Sequence, residues 1–502
     1  MATSNRMNRR RFVKTTIIAA AATAVVPGIV SGCKAKIPLM KRVLGKTGFE
    51  VTTFGLGGQA SIQWTPDDVD PVKIILKAFD KGINYFDTSN LYGPSQLNYG
   101  KAFARLKLIP GEPGYNEELR KSIFLTTKTH LRIAKGSNDI SGVSNRTNGE
   151  SGSHTIDDLR RSLSQMFGDG NGNYPEGSYV DMILFHNLNT KEEVDAIYEG
   201  IDNPDPGAET IGALVALRDY RDGTNLTGLN PKNEKLIRHI GFSGHYNPAV
   251  NMYMIQRDRT NLLDAMLVAI NANDKLMFNM QYNVIPLAVE KKMGVIGMKV
   301  FADGAMYTKP AEWSNTKEHV VRIVGDGNMP SKPLIEYALT TPGVNLVIIG
   351  IGQISDNYKE CQLSNNIDAA QILPEGLTTG DREEIEVMAK KIKEGRTNYF
   401  QVGAIPLTAP DEVVVGQELV NDKRNVTVGW NTAFASDAPL KVYEILRDNV
   451  KVGQKEFKPQ LTIDHITWSE SLGDKDSHTY AVKIIDEKGR EAESQSVVLE
   501  KV

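Results

Sequence analysis

The 502-residue sequence predicts an α/β fold, a closed (β/α)8 barrel, followed by a small all-β sandwich. Three observations carry that prediction. Eight short apolar runs alternate with amphipathic stretches between residues 52 and 351. The helical period is lost after about residue 406. Reactive side chains recur at the ends of the apolar runs.

The eight runs are TTFGLGG (52–58), INYFDTS (83–89), IFLTTKT (123–129), VDMILFHNL (180–188), IRHIGFSGH (237–245), MFNMQYN (277–283), VIGMKVF (295–301) and VNLVIIGI (344–351). Near-continuous apolar strands belong to a parallel sheet covered on its outer face by helices. Helical periodicity between them, as in 71–81, 156–166 and 332–339, supplies that cover. Eight such units in this length favour a closed barrel over an open sheet. Two insertions are rich in Gly, Ser and Asn. Residues 134–153 follow the third run, and 203–231 interrupt the unit after the fourth, with a helical patch at 209–220. A further Gly-rich turn lies at 168–177. Loops after barrel strands face the active site, so the insertions after runs three and four are expected to shape substrate access.

From residue 411 onward the pattern is β-like: VTVGW (426–430), KVYEILRD (441–448), TIDHITW (462–468), TYAVKIID (479–486) and SQSVVLE (494–500), separated by polar turns. This is sandwich patterning. Trp430, followed by Tyr443 and Tyr480, resembles a fibronectin type III-like module, with Trp430 as a core residue. The resulting organisation is an N-terminal segment at 1–33, a barrel at 40–400 and a sandwich at 406–502. Such a sandwich offers a surface for protein or glycan contact.

The N-terminal segment is a targeting signal rather than part of the fold. Arg9, Arg10 and Arg11 precede Phe12 and a small, apolar stretch at 15–30, and resemble a twin-arginine export signal. Pro27 and Gly28 interrupt that stretch, which is too short to span a bilayer comfortably. Val30-Ser31-Gly32-Cys33 resembles a bacterial lipobox, which implies cleavage before Cys33 and lipidation of its thiol. An exported, periplasmic, membrane-anchored protein is the expectation, with an uncleaved N-terminal anchor as the alternative. Removing the segment takes away five positive charges and no negative ones, which moves the formal net charge from −3 to −8. A chain this acidic, without a basic stripe, is a poor nucleic-acid binder. The only other cysteine is Cys361, so neither an intrachain disulfide nor a cysteine-rich metal centre is expected.

The chemistry gathers at strand ends. Asp87 closes the second run, Tyr92 follows it, Lys128 lies near the end of the third and His186 near the end of the fourth. Taken singly, each residue type at such a place is commonly solvated, ion-paired or packed. Together on the face where barrel sites form, they make one candidate site. A phenol titrates near ~10, and a nearby ammonium lowers that value by stabilising the phenolate. Lys128 is the expected tuning charge, Asp87 the carboxylate that keeps Lys128 protonated, and His186 the donor to a substrate oxygen. A glycosidase-type barrel needs a second carboxylate beside Asp87, and none is evident.

The flanking sequences are recognisable. Arg42-Val43-Leu44-Gly45-Lys46-Thr47-Gly48 with Phe54-Gly55-Leu56-Gly57-Gly58 resembles the opening of aldo-keto reductases. Gly82 through Ser89 with Tyr92-Gly93 resembles their second-strand signature, and 181–186 and 237–245 look like later strands. The resemblance runs from about residue 40 to 352. It implies a TIM barrel and a nicotinamide-dependent reductase of aldehydes or ketones, working on a small carbonyl or alcohol substrate. Tyr92 is then the general acid, tuned by Lys128 and Asp87, with His186 orienting the carbonyl. It also implies cofactor contacts from Gly57, Gly58, Asp87, Ser243, Gln281 and Lys299, and no metal. Two departures qualify it. The family's Ser-Asn pair reads Ser243-Gly244 here. After the eighth strand, 350–357 carries no Arg or Lys to grip a 2′-phosphate, so NADPH and NADH both remain open. The alternative to an enzyme is a binding or assembly protein on the same scaffold.

Overall fold

A computed structural model describes residues 38–148, 153–325, 329–397, 400, 402–421 and 423–502. Cys33 and the whole export-type segment lie outside the described residues.

Eight parallel strands close into a barrel: β1 (Phe54–Gly57), β2 (Tyr85–Asp87), β3 (Phe124–Thr129), β4 (Val180–Phe185), β5 (Ile237–Gly244), β6 (Leu263–Ala269), β7 (Gly294–Met298) and β8 (Leu346–Gly350). They follow one another in sequence order, and β8 closes on β1 through Val347 beside Phe54 and Gly350 beside Gly57. Seven of the eight runs read from the sequence are strands. The sixth, 277–283, is helical, because the chain enters α7 (Met280–Glu290) at Asn279, whose φ is +41°. The sixth strand is instead the fully buried run Leu263–Ala269.

Two apolar layers follow from strand alternation. Inside the barrel, Tyr85, Phe124, Met182, Leu184, Leu267, Ile296 and Leu346 pack together. The hairpin Lys41–Val43/Glu50–Thr52 contributes Leu44 and Val51 to this layer. Outside, the opposite strand faces pack on helices such as α1 (Pro71–Asp80) and α3 (Thr155–Phe167). Asp70 caps α1 by accepting from the N–H of Val72 (3.0 Å), and Pro71 occupies its first turn. The insertions after β3 and β4 pair with each other, Ile133–Lys135 against Ile211–Gly212.

The C-terminal region is all-β and antiparallel. β9 (Asp411–Val420), β10 (Lys423–Asn431) and β13 (Ile466–Leu472) form one sheet. β12 (Val450–Glu456), β11 (Leu440–Arg447), β14 (His478–Asp486), β15 (Glu491–Glu493) and β16 (Val497–Leu499) form the other. Trp430, Tyr443 and Tyr480 are buried in a separate apolar core, as expected for Trp430. This region docks on α7. Asn279 Nδ2 donates to the carbonyls of Ala435 and Ser436, both at 2.7 Å, and Asn283 Oδ1 accepts from the Ala435 N–H at 2.8 Å.

Candidate active site

Asp87, Tyr92, Lys128 and His186 converge at the C-terminal mouth of the barrel. The turn after β2 is fixed first. Thr88 N donates to Thr126 O (2.9 Å), Asn90 N to Lys128 O (3.3 Å) and Tyr92 N to Ser89 O (3.0 Å). Asn90 Nδ2 is held by Asp158 Oδ1 at 2.5 Å and Thr147 Oγ1 at 3.0 Å. These bonds carry Tyr92 over the end of β3. The Lys128 ammonium donates to Asp87 Oδ1 and to Thr88 O (2.9 Å), and both side chains of the ion pair are 1% exposed. That ammonium lies 4.7 Å from the Tyr92 ring centroid. The His186 ring meets the Tyr92 ring edge-on, with centroids 5.5 Å apart.

His186 is held from two sides. Ser89 Oγ lies 3.2 Å from its Nδ1 and already accepts the Leu91 N–H (3.2 Å). A hydroxyl that accepts there favours donating to Nδ1, which puts the ring proton on Nε2. Arg132 Nη2 donates to the His186 carbonyl (2.7 Å), with Glu193 balancing its charge at 3.4 Å. Burial, then the charge of Lys128, holds the His186 imidazole well below its ordinary 6.5, so it is neutral.

Tyr92 departs from the expectation. Its phenol is pushed well above 10, by burial first and then by the carboxylates of Asp87 and Asp303. The Lys128 ammonium, 4.7 Å from the ring, does not outweigh that burial, because the paired Asp87 carboxylate offsets much of its charge. Burial in turn lowers Lys128 and raises Asp87, against their mutual attraction. Tyr92 is half-buried by exposed area, yet a side chain open only to a cavity is still surrounded by protein. The phenol is therefore a neutral, protonated donor.

A solvent-open cavity starts at Asp87 and Tyr92. It passes Gly57 and Gly58, crosses the ends of β7 and β8, and reaches Gln362 and Asn366 on α9 (Gln362–Ala369). The segment after β7 forms much of its wall, through Lys299, Phe301, Asp303, Tyr307 and Val321. That segment is tied across the cavity by Lys317 to Asp67 (2.8 Å to both carboxylate oxygens) and by Arg322 to Asp68 (3.0 and 2.7 Å).

A model of the Aldo/keto reductase family matches residues 53–375. The chain belongs to this family. Its expected standing as an NAD(P)-dependent oxidoreductase acting on carbonyl or alcohol groups follows at that level. This aldo/keto reductase is 24% identical to L-galactose dehydrogenase of Arabidopsis thaliana over 368 residues, which cover 70% of this chain and 95% of that one. It is 38% identical to D-arabinose 1-dehydrogenase of Saccharomyces cerevisiae over 81 residues, 16% of this chain and 22% of that one. Among solved structures, an aldo/keto reductase from Klebsiella pneumoniae in complex with NADP and acetate superposes with a TM-score of 0.40 at 15% identity, covering 72% of this chain and 99% of that one.

The expected cofactor residues fare unevenly in this aldo/keto reductase. Gly57, Gly58, Asp87 and Lys299 line the cavity. The glycines are also demanded by packing. A Cβ at Gly58 would lie 2.4 Å from Asp87 O, and one at Gly57 would lie 3.0 Å from Gly350 N. Lys299 Nζ sits 4.0 Å from Asp303 Oδ1 and 5.3 Å from the Trp313 ring centroid. Ser243 is not part of the wall. Its hydroxyl accepts the Asn187 N–H (2.9 Å) and pins the turn after β4. Gln281 is on α7, away from the cavity, and the β6 residue that lines it is Leu267. Beside Ser243, the space of a residue-244 side chain is filled, since a Cβ there would lie 1.9 Å from Asn251 Oδ1. Sequence reasoning missed His245, the wall after β7, Gln362 and Asn366. The insertions after β3 and β4, expected to shape access, contribute nothing to the described cavity wall.

Proposed function

We propose that this protein reduces an aldehyde or ketone to an alcohol, with Tyr92 as the general acid and a nicotinamide cofactor as the reductant. The observation that carries this is the buried Lys128–Asp87 pair beneath the face of Tyr92, with a neutral His186 at the ring edge. The cavity fits such a cofactor. It is long, its floor is side-chain-free at Gly57 and Gly58, and Asp87 Oδ2 is buried without a partner. Gly57, Gly58, Lys299 and Asn366 would hold it. When bound, it supplies the hydride.

The chain's own residues do the rest. His186 Nε2–H donates to the carbonyl oxygen and orients it. Tyr92, kept protonated by burial, gives its proton to the same oxygen as negative charge develops there. Lys128 carries a positive charge beside the phenolate left behind, and Asp87 keeps that charge in place. Burial keeps the phenol in the protonated state that carbonyl reduction requires. Polyhydroxylated carbonyl compounds are the first substrates to screen, given the names of the relatives from Arabidopsis and yeast.

The arginine-rich start and the Val30–Cys33 motif support export and lipid anchoring through Cys33. The strand order and buried Trp430 support the fibronectin type III-like reading of the C-terminal sheets. The test of function is Tyr92→Phe. Carbonyl reduction that survives this change at the parent rate overturns the assignment. Mass spectrometry of membrane fractions for a lipidated Cys33 tests the location.

A further inference from the structure

The far end of the cavity is built around Gln362. This side chain is buried, and its amide is fully engaged. Oε1 accepts from the N–H of Gly352 (2.8 Å) and of Gln353 (2.9 Å). Nε2 donates to the carbonyls of Val321 (3.1 Å) and Ile323 (2.7 Å). Four bonds exhaust the capacity of a carboxamide. Two successive backbone N–H groups after β8 would otherwise form a concavity that accepts an anion. Here a neutral oxygen of the protein already occupies it.

Positive charge is spoken for as well. The Arg322 guanidinium is gripped by both oxygens of Asp68, and its Nε donates to Gln353 Oε1 (3.1 Å). Lys299 is the only lysine or arginine lining the cavity among the described residues, and it stands on the β7 side beside Asp303 and Trp313. The Trp313 ring it faces lies 5.9 Å from the His245 ring, which places Lys299 toward the catalytic mouth.

With the reacting carbon beside Tyr92, the adenosine half of a nicotinamide dinucleotide must extend toward Gln362 and Asn366. A 2′-phosphate there meets a carboxamide that has no donor to spare, and the nearest guanidinium, Arg322, is already held by Asp68 and Gln353. Phosphate recognition rests on charge-assisted bonds, which are roughly twice as strong as neutral ones. A 2′-hydroxyl needs only neutral partners. We propose that Gln362 is a specificity-determining residue that caps the Gly352–Gln353 amides and reserves this end of the cavity for a ribose without a 2′-phosphate. The enzyme then uses NADH in preference to NADPH. The inference rests on the nicotinamide-dependent reading above.

Calorimetric titration of the full-length protein tests it. NADH is expected to bind at least ~10-fold more tightly than NADPH, a difference of ~1.4 kcal/mol. ADP is expected to bind more tightly than adenosine 2′,5′-bisphosphate, which probes the adenosine end alone. Gln362→Arg should narrow or reverse both ratios by ~10-fold or more. Gln362→Met, which uncaps the amides without adding charge, should narrow them by less. Wild-type protein that binds NADPH as tightly as NADH, or the bisphosphate as tightly as ADP, overturns the role of Gln362 and leaves the reductase reading intact. Failure of both NADH and NADPH to bind overturns that reading, and this inference falls with it. The wild-type comparisons decide the matter even where Gln362→Arg does not fold.

Discussion

The ends of β2–β4 and the ends of β5–β8 face the same barrel mouth but are built on different plans. On the β2–β4 side, Asp87, Tyr92, Lys128 and His186 meet in a dense set of bonds and ring contacts. On the β5–β8 side, positions where a ligand contact was expected are filled by the protein itself. Asn251 fills the space next to Gly244, Leu267 is the β6 residue on the wall, and Gln362 caps two amides. The difference separates two demands. The chemical step needs a few groups at fixed separations. Under the proposed function, cofactor contacts are spread over several strand ends.

The largest effect separates the two sides directly. Tyr92→Phe removes the proton donor and nothing from the β5–β8 side. It is expected to lower kcat/KM roughly 10²–10⁴-fold while dinucleotide affinity stays near the parent value. Parallel loss of affinity would show that the two sides are not separable. Next comes Lys128→Met. It leaves the Asp87 carboxylate buried and uncompensated, and breaking such a pair costs about 3–5 kcal/mol. A large drop in melting temperature is expected, and Asp87→Asn in the same chain should recover part of it. Without that recovery, Lys128 matters for packing rather than charge.

The same contrast governs what could be read in the sequence. Asp87, Tyr92, Lys128 and His186 were legible because each sits next to a short apolar run whose strand character is unambiguous. The β5–β8 side was not. Leu263–Ala269 is apolar but contains Val268 as its only β-branched residue, and Leu, Met and Ala suit a helix equally well. MFNMQYN alternates like a strand, yet Asn279 and Asn283 are one helical turn apart and face the C-terminal sheets. Its helical identity is tied to a contact more than 150 residues away. Gln362 had no signal at all. Its role exists only once 321–323 and 352–353 are brought together. The direction of the Tyr92 shift was misread for a related reason, since the depth of burial is a property of the folded cavity.

Gly244→Ala probes the filled space on the β5 side. A methyl group there collides with Asn251 Oδ1, and overpacking of this kind costs about 1–3 kcal/mol. Thermal denaturation should show the loss, and Asn251→Ala should relieve it. A stable Gly244→Ala protein would mean that Asn251 moves aside freely, and that the carboxamide site expected beside Ser243 can be re-formed.

The smallest effect concerns acid at the barrel mouth. His130, His186 and His245 are all buried there, and burial holds each below the ordinary 6.5, His130 at about 3. The unfolded chain takes up these protons near 6.5 and the folded chain does not. Stability from these groups is therefore complete above that value and is lost as pH falls below it, by up to about 1.4 kcal/mol per pH unit for each imidazole. Asp158 and Asp274, pushed up to about 6 by burial, act in the opposite sense between about 4 and 6, because the folded state binds their protons more tightly. Three imidazoles against two carboxyls leave a net loss on acidification from these five groups. His130→Gln removes one imidazole that makes no proton transfer in the proposed reaction. It should flatten the fall in melting temperature between pH 6.5 and 5 while leaving kcat unchanged at neutral pH. An unchanged slope would show that His130 is charged in the folded protein, and the neutral state assigned to its neighbour His186 would lose its physical basis.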